Sequence, residues 1–265
     1  MSGSDEMRHG RSLMVERVRS TLAAALPLAK ERRRPFVTLT YAQSLDGSIA
    51  RSDGAKLLLS NEASQALTHE LRALHDAILV GINTVVNDNP RLNVRLVDGS
   101  DPQPVVVDTR LRFPLDASLL RDPCIRPIIF TGESTGCETR EKQLVELGAR
   151  VIRLPLESDG SICLERLLAC LLDEGHQSVM VEGGGEIITS ILAAHLADQF
   201  LLTIAPRFVG GLRAVHPGDG SNDRCWPELS NVDMACLAGD LVVRGDLVGV
   251  DRMTTSRDSE RENVR

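Results

Sequence analysis

Apolar positions along the chain follow two rhythms that alternate. Phe36 to Ala42 (FVTLTYA), after Pro35, is β-branched and aromatic and predicts a strand. Ser60 is placed to cap a helix whose apolar positions Ala63, Leu67, Leu71 and Leu74 recur every three to four residues. Short apolar runs at Ala77–Gly81, Pro104–Asp108, Arg126–Thr131, Val151–Leu154 and Ser178–Glu182 predict further strands. Helical stretches are expected after Gly81 as a short turn, at Thr139–Leu147 before Gly148, at Cys163–Glu174 before Gly175, and at Glu186–Leu196. Apolar strands separated by helices imply an α/β domain, a mostly parallel central sheet with helices on both faces. Gln199–Ala205 and Leu241–Val248 have no clear helix between them, so an antiparallel C-terminal edge or hairpin is expected.

Upstream, Leu13, Val18, Leu22 and Leu26 lie at roughly helical spacing, so residues 1–34 are expected to form a helical extension that docks on the body or on a second subunit. The main domain then spans 35–249. Residues 250–265 are almost wholly polar and are expected to be a disordered tail.

Composition removes several classes. Lys and Arg total 30 against 37 Asp and Glu, a net charge of −7, which disfavours a nucleic-acid or membrane-surface binder because both partners want a basic face. One Trp and one Tyr leave no base-stacking platform. No apolar run approaches the length of about 18 residues that spans a bilayer. Thr21–Ala29 is apolar but short and runs into Glu31-Arg32-Arg33-Arg34, unlike a secretory signal. The six cysteines are scattered, with no C-x-x-C and no zinc spacing, so reduced thiols, a cytoplasmic location and no metal site are expected.

Three segments carry candidate chemistry. Val179-Met180-Val181-Glu182 runs into Gly183-Gly184-Gly185 and then a helix, and glycines beside a helix N-terminus suit a pyrophosphate. A tight turn made only for packing reads the same glycines. Glu182 ends that strand, where open α/β sheets hold ligands, although a carboxylate capping an amide is the commoner use. Thr84 and Asp88 are four apart and share a helical face, with an Asx turn at Asn87–Pro90 as the competing account of Asp88. Tyr41–Gly47 reads as a strand breaking into a turn. Arg72 and Arg95, distant in sequence, are candidates to converge on a dianion. There is no G-x-x-x-x-G-K-[ST] loop, no G-x-S-x-G elbow and no H-x-E with P-C-x-x-C, so a nucleoside-triphosphate loop, a serine-hydrolase elbow and a zinc deaminase are not expected.

Together PFVTLTYAQSLDGSIA (35–50), DAILVGINTVVNDNPRLNVR (76–95), VVVDTRLRFP (105–114), VMVEGGGEI (179–187) and LLTIAPRFVGG within 198–211 resemble the reductase family of riboflavin biosynthesis, most closely its stand-alone members. The resemblance covers roughly residues 35 to 249. It implies a dihydrofolate-reductase-like fold, NADPH, a homodimer, and reduction of the ribosyl group of a diamino- or amino-pyrimidine ribosylamine 5′-phosphate to a ribityl chain. Carried over position by position, it implies Ala42, Thr84, Asp88, Thr109, Arg110, Leu111, Arg112, Gly183, Gly184, Gly185 and Glu186 at the cofactor, the 109–112 segment at its 2′-phosphate. It implies Lys56, Arg72, Leu92, Arg95 and Glu182 at the substrate, with Asp88 and Glu182 as catalytic carboxylates. Lys56 and Leu58 depart from bacterial fused members, which place a small residue and often Trp there. Two other readings therefore stay beside this one: a reductase of the same fold for a pterin or flavin-like secondary metabolite, and a non-catalytic nucleotide-binding subunit. Both make Thr84/Asp88 and the triple glycine worth locating: reduction requires them to be facing walls of one crevice.

Overall fold

The computed structural model describes residues 3–122, 124–133, 136–216 and 226–248. The N-terminal extension forms helix α1 (Gly3–Ala25) and a short α2 (Ala29–Arg32). Its inward stripe is Met14, Val18, Leu22 and Ala25, whereas Leu13 is exposed. The buried face thus begins one residue later than the expected Leu13, because 14, 18, 22 and 25 keep to one side of the helix. This stripe packs against Leu67, Leu71, Met180, Leu201 and Val242.

Strand β1 (Phe36–Ser44) turns into β2 (Ser48–Ala50). The turn is fixed by Asp46, whose carboxylate accepts hydrogen bonds from Ser44 Oγ, Ser48 Oγ and the backbone N–H groups of Val209 and Gly210. These bonds hold its pKa well below the usual carboxylate range, the Ser44 bond most strongly. Helix α3 (Glu62–Arg72) is capped by Asn61 and not by the expected Ser60. Asn61 Oδ1 accepts from the Ser64 N–H, while Asn61 Nδ2 donates to the carbonyls of Leu237 and Ala238. β3 (Ala77–Gly81) leads directly into α4 (Ile82–Asp88). Then follow β4 (Gln103–Val107), β5 (Ile128–Gly132), α5 (Glu138–Glu146), β6 (Arg150–Leu154), α6 (Leu164–Asp173), β7 (Ser178–Glu182) and α7 (Gly185–Ala193). The chain closes with β8 (Gln199–Ala205), a short β9 (Leu212–Arg213) paired with β2, β10 (Glu228–Leu237) and β11 (Asp240–Val248).

The main sheet has nine strands in the order β10-β11-β8-β1-β7-β3-β4-β5-β6. From β8 to β6 every neighbouring pair is parallel. β11 pairs antiparallel with β8, as the sequence led us to expect, but it is not the edge. The outermost strand is β10, whose half-polar ELSNVDMACL carries no strong strand rhythm and is bulged between Ser230 and Asp233. Residues of the parallel strands alternate between two layers. Val37, Leu39, Leu79, Val105, Val179 and Val181 meet α6 and α7, and Ile78, Val80, Val106 and Ile129 meet α4, α5 and the loop holding Phe113. Burial on both faces explains why these strands read as unbroken apolar runs. The polar segment at 250–265 lies outside the described residues.

Candidate active site

The carboxyl ends of β1, β3, β4, β7 and β8 open onto one cavity of about 1090 Å³. Chain order reverses here, since the chain runs outward from β3 to β6 and then returns to insert β7 between β1 and β3. Open α/β sheets form their crevices at such reversals.

The glycine corner forms one wall. Gly183 and Gly184 have φ of +76° and +90°, a region that L side chains rarely adopt. A Cβ on Gly184 would lie 3.2 Å from Thr84 Oγ1, and one on Gly185 would lie 2.9 Å from His216 Nε2. The corner therefore presses directly on α4, and the two segments singled out in the sequence do face each other. A chain of polar contacts extends this wall: Arg112 Nη2 donates to Asn83 Oδ1 (2.9 Å) and Asn83 Nδ2 donates to Glu186 Oε2 (3.3 Å). Behind it, buried Asp108 accepts the Phe113 N–H and shapes the loop that presents Thr109, Arg110 and Arg112 to the cavity. Burial pushes the Asp108 carboxyl above its ordinary pKa.

Thr84 and Asp88 line the same cavity one turn apart on α4. Asp88 accepts no hydrogen bond from another described residue. Desolvation raises its pKa, and the Lys56 ammonium pulls the other way. The opposite wall comes from α3 and β7. Arg72, 8% exposed, grips Glu182 with two bonds of 2.6 Å and donates a third to the Asn93 carbonyl. Arg95 reaches the cavity from the loop after α4, its Nη1 donating to Asn93 Oδ1. Desolvation, Arg72 and Arg91 all lower the Arg95 pKa, so this corner concentrates positive charge.

Ala42, Thr84, Asp88, Thr109, Arg110, Arg112, Gly183, Gly184, Gly185, Glu186, Arg72, Arg95 and Glu182 are thus gathered on one surface. Leu92 and Leu111 are not on it. Both have positive φ (+55° and +51°) and bury their side chains in the layer beside Phe113, so only their backbones shape the adjoining loops. Lys56 stands off the wall and is felt at Asp88 through its charge. Sequence reasoning passed over His69, Asn83, Asp108, Arg213 and His216. His69 was within reach, since it lies three residues before Arg72 on the same helical face. Arg213 and His216 had no local signal, because they are placed by the pairing of β9 with β2 and by the Asp46 clamp just before it.

A mostly parallel α/β sheet with an antiparallel end and a glycine-cornered cleft at its strand ends defines a dihydrofolate-reductase-like fold. Residues 35–243 match the RibD C-terminal domain family, and the chain belongs to it. Among curated relatives, the 2,5-diamino-6-ribosylamino-4(3H)-pyrimidinone 5′-phosphate reductase of Eremothecium gossypii is 36% identical over 220 residues, covering 76% of this chain and 87% of that protein. The enzyme of the same name from Archaeoglobus fulgidus is 34% identical, covering 71% and 88%. The riboflavin biosynthesis protein RibD of Bacillus amyloliquefaciens is 37% identical, but the match spans only 48% of its length. In solved structures, the riboflavin biosynthesis reductase Rib7 of Saccharomyces cerevisiae superposes with a TM-score of 0.64 at 28% identity, covering 82% of this chain and 91% of that one. RibD of Acinetobacter baumannii gives 0.70 at 25% identity, covering 83% and 60%. Among the described residues no helix is long and apolar enough to cross a membrane.

Proposed function

We propose that this protein is an NADPH-dependent reductase that converts the ribosyl group of a diaminopyrimidine ribosylamine 5′-phosphate to the ribityl form, a step of riboflavin biosynthesis. The observation that carries this reading is the single cavity that joins the glycine corner, Asp88 and Arg95. The diamino form is favoured over the amino-oxo form by the names of relatives that the chain matches over most of their length.

The residues present fit a dinucleotide. The left-handed Gly183 and Gly184 and the start of α7 suit a pyrophosphate: a Cβ on Gly183 would stand in open space, which the glycine leaves for the close approach of a ligand. Arg110, which no described residue pairs, and Arg112 suit a 2′-phosphate, the chemical basis for preferring NADPH. When bound, this cofactor supplies a hydride.

The protein's own work is orientation and charge. The ring-opened ribosylamine is an iminium at C1′, and hydride addition there gives a neutral secondary amine. Asp88, which accepts no hydrogen bond from another described residue, stabilises the cation, and Thr84 one turn away on α4 helps to orient it. Arg95 anchors the 5′-phosphate. Glu182 fixes Arg72 and keeps its remaining lone pairs for ribose or pyrimidine donors. Tyr41, whose pKa is pushed up to about 12 by burial, stays a neutral phenol.

A homodimer is the assembly we propose. Registered rows Tyr41–Leu202–Val243–Met234 and Gln43–Ile204–Leu241–Cys236 face away from α1. Met234 is 66% and Leu241 40% exposed on this side, an apolar sheet face that a second copy would cover. Light scattering should give twice the chain mass, and Met234→Asp should shift it to the monomer.

The enzymatic test uses purified protein, NADPH and each of the two ribosylaminopyrimidine phosphates, read as loss of reduced-nicotinamide absorbance. Faster turnover of the diamino compound is expected. Oxidation of NADPH with dihydrofolate alone would replace this reading with a pterin reductase, and tight NADPH binding without turnover would leave a nucleotide-binding subunit.

A further inference from the structure

His69 sits on α3 one turn before Arg72, 3% exposed, and lines the cavity. Its Nδ1 accepts the backbone N–H of Arg95 at 3.1 Å. A ring nitrogen that accepts from an amide bears no proton, so the neutral ring carries its hydrogen on Nε2. Four charged groups surround it: Arg72 on its own helix, Arg95 and Asp101 from the loop after α4, and Glu182 from β7. Burial first, and then the two arginines, lower its pKa to about 4 against the opposing pull of Glu182 and Asp101. The ring is therefore uncharged at neutral pH. No described residue accepts from Nε2, and the ring lines the cavity, so this N–H is available to whatever enters.

We propose that His69 is a substrate-binding residue whose Nε2–H donates to the phosphate monoester held by Arg95. The proposal rests on the reading of the substrate phosphate given above. With the Arg72 charge held by Glu182, this corner offers a phosphate the Arg95 guanidinium and one neutral, directional donor beside it. The same ring fixes the backbone from which the Arg95 side chain reaches out.

Two amide variants separate these roles. His69→Asn places an oxygen where Nδ1 stood, keeping the tie to Arg95 and losing the donor, whereas His69→Gln places an N–H near Nε2 and loses the tie. His69→Asn should raise the substrate KM about tenfold with the cofactor KM unchanged, the loss of roughly one hydrogen bond to a charged group, and His69→Gln should stay within about threefold of the native value. The ratio of the His69→Asn to the native substrate KM should stay constant from roughly pH 5.5 to 8, because an unperturbed histidine would titrate there and this one does not. The opposite ranking of the two variants, equal KM values in all three proteins, or a ratio that collapses as pH rises would each overturn the donor role. Arg95→Ala, run in parallel, keeps the two levels apart. If it raises the substrate KM while His69→Asn does not, only the His69 assignment fails; if Arg95→Ala has no effect, the phosphate reading fails and takes this inference with it.

Discussion

Two of the carboxylates that line the cavity, Glu182 and Asp88, are held in opposite ways. Glu182 is locked by two 2.6 Å bonds from Arg72 on α3. Asp88 stands at the end of α4 with no hydrogen bond from a described residue and a pKa raised by desolvation. A paired carboxylate has spent its charge on the fold, and an unpaired one keeps it for whatever enters. On the proposed function, the β7–α3 wall is the side that sets where the substrate lies, and the α4 wall is where charge acts on the reacting carbon. The destabilising side of that arrangement is local, as expected where function and stability compete.

The contrast can be broken or sharpened by substitution. Asp88→Ala should lower kcat by about a hundredfold or more, the scale of losing one preorganised electrostatic contact, with the circular-dichroism spectrum unchanged. Near-normal turnover would remove Asp88 from the chemistry. Arg72→Ala leaves the part-buried Glu182 without its partner, so urea unfolding should show a loss of about 3 kcal/mol, and Arg72→Met with Glu182→Gln should recover much of it. Arg95→Ala should raise the substrate KM by about ten- to a hundredfold, and the cofactor KM far less, as steady-state kinetics with each reactant varied can show. Gly184→Ala forces a side chain into left-handed backbone against Thr84; calorimetric titration should give roughly tenfold weaker cofactor binding. The smallest effect is the most discriminating. The folded pKa of Asp88 is raised, so its ionised form weakens the fold above that pKa and this penalty vanishes as pH falls below the unfolded value. Asp88→Asn should therefore raise the thermal midpoint slightly at neutral pH and not at acid pH, whereas Glu182→Gln should lower it.

For the same reason, an ionised Asp88 implies that kcat falls as pH drops through a point above the ordinary carboxylate range.

Legibility followed burial. The parallel strands are covered on both faces, so Ala77–Gly81 and Ser178–Glu182 stood out as apolar runs and appear with those bounds. β10 escaped because one face is open and its bulge breaks the alternation. The Ser60 cap failed for a tertiary reason: Asn61 can reach both the first turn of α3 and the β10–β11 turn, and a local rule sees only the first contact. The site divides similarly. Segments where a strand ends in glycine announced Thr84, Asp88 and Glu182, and the residues they would touch followed from the family resemblance. What no local pattern contained was the partnership between Arg72 and Glu182, 110 positions apart.

Asn61 ties two parts of the fold that are far apart in sequence. One side chain holds the start of the helix bearing His69 and Arg72 and also grips the hairpin tip at Leu237 and Ala238, while its own N–H meets Asp240. It is a joint between the outermost strands and the cavity: one side chain fastens the hairpin tip to the first turn of the helix that carries His69 and Arg72.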